Sequence, residues 1–110
     1  MLSNNEGERN KIMEISKNRE GNQLTVTLTG ELNTATAPEL EAAIKDDIQV
    51  GDTVVFDMTG LTYMTSAGLR ILVASEQATG GSGAVTLRGV CKEIRQVIEV
   101  TGFDSIFNIE

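Results

Sequence analysis

The chain has 110 residues, 40% hydrophobic and 23% charged, which is enough apolar material for one core in a domain of ordinary size. Nine Lys and Arg against sixteen Asp and Glu leave a net charge of −7. That balance disfavours gripping nucleic-acid phosphates or lying on an anionic membrane. With no His and a single Cys, the chain cannot build a Ser-His or Cys-His catalytic pair, a His-ligated metal site, a phosphohistidine or an internal disulfide.

Residues 1–10 carry Met1 and Leu2 as their only apolar groups and read as a flexible start. A short strand is expected over Lys11–Ser16, and the Asn18, Gly21 and Asn22 that follow read as a turn. Gln23–Thr29 alternates cleanly. Leu24, Val26 and Leu28 face one way and Thr25, Thr27 and Thr29 the other, the mark of a strand with one buried face. It should form a hairpin with the first strand. Thr36–Ile48 reads as a helix, with Thr36 and Glu39 at capping-box spacing, Pro38 in the first turn and Leu40, Ala43, Ile44 and Ile48 as the apolar stripe. Asp46 and Asp47 would close it, although carboxylates are poorly placed at a helix C-terminus.

Thr53–Met58 follows, a run of consecutive apolar residues that predicts a central strand covered on both faces and ended by Thr59-Gly60. A helix is expected from Thr65 or Ser66 to Thr79, with Leu69, Leu72 and Val73 inward. Gly80–Gly83 is a loop and lacks the Gly-Lys-Ser/Thr of a phosphate-binding loop. Ala84–Arg88 reads as a strand with Val85 and Leu87 inward. Lys92–Thr101 reads as a helix stopped by Gly102, with Phe103 packing back on Ile98. Ile106–Ile109 makes a last short strand. Strands alternating with helices after a hairpin predict an α/β fold, a mixed sheet with helices packed against it. No stretch reaches the roughly 20 apolar residues of a membrane helix, and the polar start lacks the apolar core of a signal peptide. A cytoplasmic protein without membrane insertion, metal or cofactor is therefore expected.

Sites in such sheets lie beyond the carboxyl ends of the strands. Two segments there are rich in hydroxyls: Gly30–Thr36 before the first helix and Leu61–Gly68 before the second. A phosphate at a helix start is electrostatically favoured. Ser66, flanked by the small Ala67 and Gly68, reads as an open hydroxyl that can carry one, whereas a Ser or Thr at this place is most often only a cap. Asp57 invites comparison with a phosphoaccepting aspartate, but Glu31 is the only acid after the preceding strand and no suitable Lys follows, so it reads as a structural hydrogen-bonding residue. Cys91 reads as partly buried filler. Arg70, one turn after Ser66, is within reach of a phosphate there or simply solvates the helix. Tyr63 and Met64 would anchor a partner if exposed and belong to the core if not.

The segment Phe56–Leu69 (FDMTGLTYMTSAGL) resembles the signature of STAS domains, in particular bacterial anti-sigma factor antagonists. Leu28–Asn33 (LTGELN) and Val100–Phe103 (VTGF) match in the same order, and the resemblance covers residues 11 to 110 as a single domain. It implies a non-enzymatic partner switch. The unmodified protein would bind an anti-sigma factor that is also a serine kinase, phosphorylation would end the binding, and a serine phosphatase would restore it. Carried over by position, the acceptor is Ser66, with Thr65 as second choice. The implied partner surface is Asn33, Thr34, Thr36, Met64, Thr65, Ser66, Ala67, Gly68 and Leu69. Members of the family often carry Asp where this chain has Thr65 and Asn33. A STAS accessory subunit of a transport or sensing assembly, not regulated by phosphorylation, is the alternative role.

Overall fold

The computed structural model describes residues 13–81 and 83–110; the expected flexible start at residues 1–10 lies outside them. The elements run β1 (Met13–Glu20), β2 (Gln23–Leu32), α1 (Ala37–Ile44), β3 (Thr53–Met64), α2 (Ser66–Ala78), β4 (Val85–Arg88), α3 (Lys92–Thr101), a 3₁₀ turn (Phe103–Ile106) and β5 (Asn108–Ile109). The five strands form one mixed sheet in the order β1-β2-β3-β4-β5. β1 and β2 are antiparallel, and each later neighbour is parallel. Every parallel crossover steps in the same direction, so right-handed connections place all three helices on one face. Leu40, Ile44, Leu69, Leu72, Ile94 and Ile98 of the helices accordingly share a single core with Leu24, Val26, Leu28, Phe56, Val85 and Leu87 of the sheet. Each fully buried Leu or Ile in it stabilises the fold by about 1.5–3 kcal/mol relative to an exposed one.

Four expectations need correction. β1 does not stop at Ser16 but pairs with β2 as far as Glu20↔Gln23, leaving only Gly21 and Asn22 as the turn. Its second half lacks apolar residues because it is an edge strand whose Lys17 and Arg19 reach over the sheet rim. Lys17 Nζ donates to Ala43 O (2.7 Å) and Asp47 Oδ2 (2.6 Å), and Arg19 donates to Asp52 Oδ2 (2.9 Å). The first helix ends at Ile44, not Ile48. Two carboxylates disfavour further turns at the negative end of a helix, and Lys17 takes the carbonyl of Ala43. Ile48 still packs on the core from the following turn.

β3 does not end at Thr59-Gly60 but runs on to Met64. Met58-Thr59 is a bulge: Thr27 pairs with Asp57 and Thr29 with Gly60, so these two residues oppose Leu28 alone. Asp57 builds it by accepting the Thr59 amide (3.1 Å) and hydroxyl (2.8 Å). These bonds hold the Asp57 carboxyl below the usual carboxylate range, the hydroxyl contributing most, with the Arg88 charge assisting and burial opposing. Nor do helices cover both faces of β3, although Val55 on the helix-free face is itself buried, 7% exposed. Val54, Phe56 and Met58 belong to the core, whereas Val55 lies on the opposite face, outside that cluster, in line with the half-buried Thr25 and Thr86.

α2 is fixed at its far end by a buried side chain. Glu76 is 4% exposed. Its carboxylate accepts the amides of Gly83 (2.6 Å) and Val85 (3.2 Å), closing the glycine-rich loop onto the helix. α3 has the predicted bounds, and Gly102 leaves it at φ +82°, where a side chain would be strained.

Candidate functional site

Parallel pairing brings Leu32 opposite Met64, so the segments that leave β2 and β3 emerge side by side at one edge. Thr65 N donates to Leu32 O (3.0 Å). The two segments, both rich in hydroxyls, meet as the sequence predicts, but the second is mostly the end of β3 rather than loop.

Before α1, the hydroxyls and amides are tied into one another. Asn33 Oδ1 accepts the amides of Ala35 (2.9 Å) and Thr36 (3.1 Å). Thr36 does not form the expected capping box, and no side-chain bond caps the helix at it. Its hydroxyl points back into the loop, accepting from Asn33 N (2.8 Å) and donating to Glu31 O (2.9 Å). Thr36 is only 2% exposed, so it organises the loop and offers no surface. Asn33 is half-buried and Thr34 exposed.

Before α2 the arrangement is the reverse. Thr65 occupies the N-cap position with extended backbone, yet makes no side-chain capping bond. Its hydroxyl oxygen is enclosed and has no hydrogen-bond partner among the described residues. It does not face solvent, although the residue as a whole is half-buried. Ser66 is the first helical residue and is exposed. The cap position falls to its neighbour, so capping does not account for Ser66.

Gly68 is buried, not an open flank. A side chain there would run into that of Leu32, with Cβ only 2.8 Å from Leu32 Cδ2 and 3.2 Å from its carbonyl oxygen. Glycine is what lets α2 start against the end of β2. Met64 and Leu69 are each 2% exposed. Met64 and Gly68 thus support the site from within. Ala67 is half-buried and Tyr63 is 52% exposed.

Two clefts flank the start of α2. One, about 210 Å³, is lined by Ser66, Leu69, Arg70, Val73, Thr101 and Phe103. The other, about 420 Å³, lies toward α1 and includes Thr34, Pro38, Glu41, Ala67 and Arg70. Phe103, expected to pack back on Ile98, stays 40% exposed and walls the first cleft. The signal for this was Thr101, whose hydroxyl takes the Ile98 carbonyl (2.7 Å) that a Schellman turn would use. Among the described residues no three His, Cys, Asp or Glu come together as metal ligands. No helix among them is long and apolar enough to cross a membrane.

A five-stranded mixed sheet in this order, carrying three helices on one face, is the architecture of the STAS fold. The chain belongs to this family: the family model described as "Mlab, STAS domain" matches residues 15–108. An anti-sigma factor antagonist by name, BtrV of Bordetella bronchiseptica, is 33% identical over 99 residues, covering 88% of this chain and 85% of that protein. The anti-sigma-B factor antagonist of Listeria monocytogenes is 26% identical over 96 residues, covering 86% and 84%. The crystal structure of an anti-sigma factor antagonist from Mycobacterium paratuberculosis superposes with a TM-score of 0.77 at 26% identity, covering 88% and 84%. SpoIIAA, at 14% identity, shares the fold in its unphosphorylated form (TM-score 0.72, covering 88% of both chains) and in its phosphorylated form (0.64, covering 88% and 91%).

Proposed function

We propose that the chain is an anti-sigma factor antagonist that docks through the edge where β2 and β3 end, and that this docking is switched at Ser66. The observation that carries the reading is the exposed Ser66 hydroxyl on the first turn of α2, freed from capping by Thr65 and set beside the Asn33–Thr36 loop. The names of its relatives support the class of partner, an anti-sigma factor. In this reading the partner is also a serine kinase. It moves the γ-phosphoryl group of ATP onto Ser66 Oγ, releasing ADP and the hydroxyl proton. The phosphate adds about −1.5 to −2 charge and three acceptor oxygens to the docking face. Partner groups that packed there against a neutral hydroxyl then meet charge that must be desolvated. The helix start tolerates the phosphate, so the fold persists. A serine phosphatase returns the protein to its binding form.

The test is a binding series against the anti-sigma factor by calorimetry, with mass spectrometry of the protein after incubation with ATP and the partner. Ser66→Ala should keep full affinity and resist modification, and Ser66→Asp should bind weakly. Equal affinities for wild type, Ala and Asp variants would remove the switch. That outcome would favour an accessory subunit with a permanent docking face. The description of the matching family model, which names no sigma regulation, keeps that second reading in view.

A further inference from the structure

Arg70, within reach of Ser66 by sequence, is set apart from the other arginines by its surroundings. Of the arginines in the described residues, Arg19 meets Asp52 (2.9 Å), Arg88 meets Glu110 (3.5 Å) and Arg95 meets Glu99 (3.2 Å). Arg70 has no carboxylate partner among the described residues, although it is exposed on a chain with a net charge of −7. It lies four residues after Ser66 on the same helix, a spacing that makes the two side chains surface neighbours. The order is also the favourable one, with the anionic position N-terminal to the cation. Arg70 stands on the ridge between the two clefts and lines both, whereas Ser66 lines only the one walled by Phe103.

We propose that Arg70 is the intramolecular receptor for a phosphate on Ser66, and that the phosphate draws its guanidinium away from the α1-side cleft and over the Phe103-side cleft. The proposal rests on the reading that Ser66 is modified. A guanidinium presents a planar fork of donors that matches phosphate oxygens. No carboxylate lines the Phe103-side cleft to compete for it; Glu41, across the α1-side cleft, is the competing group. Once drawn over, Arg70 lays a charged, hydrated head across the apolar wall formed by Leu69, Val73 and Phe103. The α1-side cleft is left with Glu41 and no cation. One modification thereby alters the shape of the docking face as well as its charge.

The experiment needs no kinase. Phosphoserine is installed at position 66 during translation in the full chain, and its phosphate is titrated by ³¹P NMR in wild type, Arg70→Gln, Arg70→Lys and Glu41→Gln backgrounds. A neighbouring cation favours the dianion. The wild-type midpoint should therefore fall about half a pH unit below that of Arg70→Gln, the shift an exposed pair of this kind gives. Arg70→Lys should lie between them, and Glu41→Gln should lower the midpoint further. The Arg70 Nε–Hε and Phe103 ring resonances should move with the phosphate titration, and the Phe103 shift should vanish in Arg70→Gln. Equal midpoints in wild type and Arg70→Gln would overturn the receptor role, and a Phe103 ring indifferent to Arg70 would overturn the closing of the cleft. Neither result depends on whether a partner modifies Ser66, which mass spectrometry decides separately.

Discussion

The turns that launch α1 and α2 leave neighbouring parallel strands, sit at the same edge and are both rich in hydroxyls, yet they use them in opposite ways. In the first, Asn33 accepts the amides of Ala35 and Thr36, and the buried Thr36 hydroxyl both accepts and donates. In the second, the Thr65 hydroxyl is enclosed without a partner and Ser66 is left facing solvent. Hydroxyls at a helix start therefore do not indicate function by their presence. What separates the two turns is where the hydroxyls stand: Thr36 is enclosed and hydrogen-bonded, whereas Ser66 faces solvent.

Substitutions can break this contrast or sharpen it. The largest effect is expected where the two turns touch. Gly68→Val forces a branched side chain into Leu32 and should cost about 3 kcal/mol in urea unfolding. Leu32→Ala, which empties the opposing space, should make the double mutant less unstable than the sum of the two. Thr→Val at the two turns should then give opposite signs. Thr36→Val leaves Asn33 N and Glu31 O without their partner and should destabilise by about 2 kcal/mol. Thr65→Val removes an enclosed hydroxyl that satisfies nothing and should stabilise by about 1 kcal/mol. Equal costs at the two sites would erase the distinction drawn here. Thr65→Asp should also stabilise by about 1 kcal/mol, because a carboxylate can accept a first-turn amide as a cap.

The smallest effect is a pH dependence at Asp57. Its carboxyl titrates lower in the folded chain than in the unfolded one, so the unfolded state binds the proton more readily. The stability it contributes is fully present above about pH 4, the unfolded value, and is lost as the pH falls through the lower folded value. Asp57→Asn should flatten the acid limb of the unfolding curve over that window while leaving the neutral-pH fold intact by circular dichroism.

Much of this was legible from side-chain pattern. The Leu24-Val26-Leu28 alternation marked β2 because burial on one face of a strand has a period of two. The bounds of α3 followed from Gly102, a conformation few other residues adopt. What escaped was backbone geometry that pattern does not encode. Thr59-Gly60 has the composition of a strand end, but Asp57 holds a bulge at Met58-Thr59, Gly60 pairs with Thr29 and the strand continues. Lys17 and Arg19 look like turn residues because an edge strand can be held by backbone pairing and rim contacts without apolar groups. Ser66 reads as open from its small neighbours and is exposed, but the buried Gly68 is not the reason. Nothing in the spacing says that Thr65 takes the cap position while its own hydroxyl turns inward. Gly68 was read as room for a visitor when it is room for Leu32.

Glu76 carries a consequence for how any signal at Ser66 travels. It anchors the rear of α2 to the amides of Gly83 and Val85, while Gly68 wedges the front of the same helix against β2. Contacts at both ends of the helix resist sliding and tilting. If Ser66 is modified as proposed, the change should stay at the surface, and the amides of the sheet beneath should exchange with deuterium at the same rates before and after.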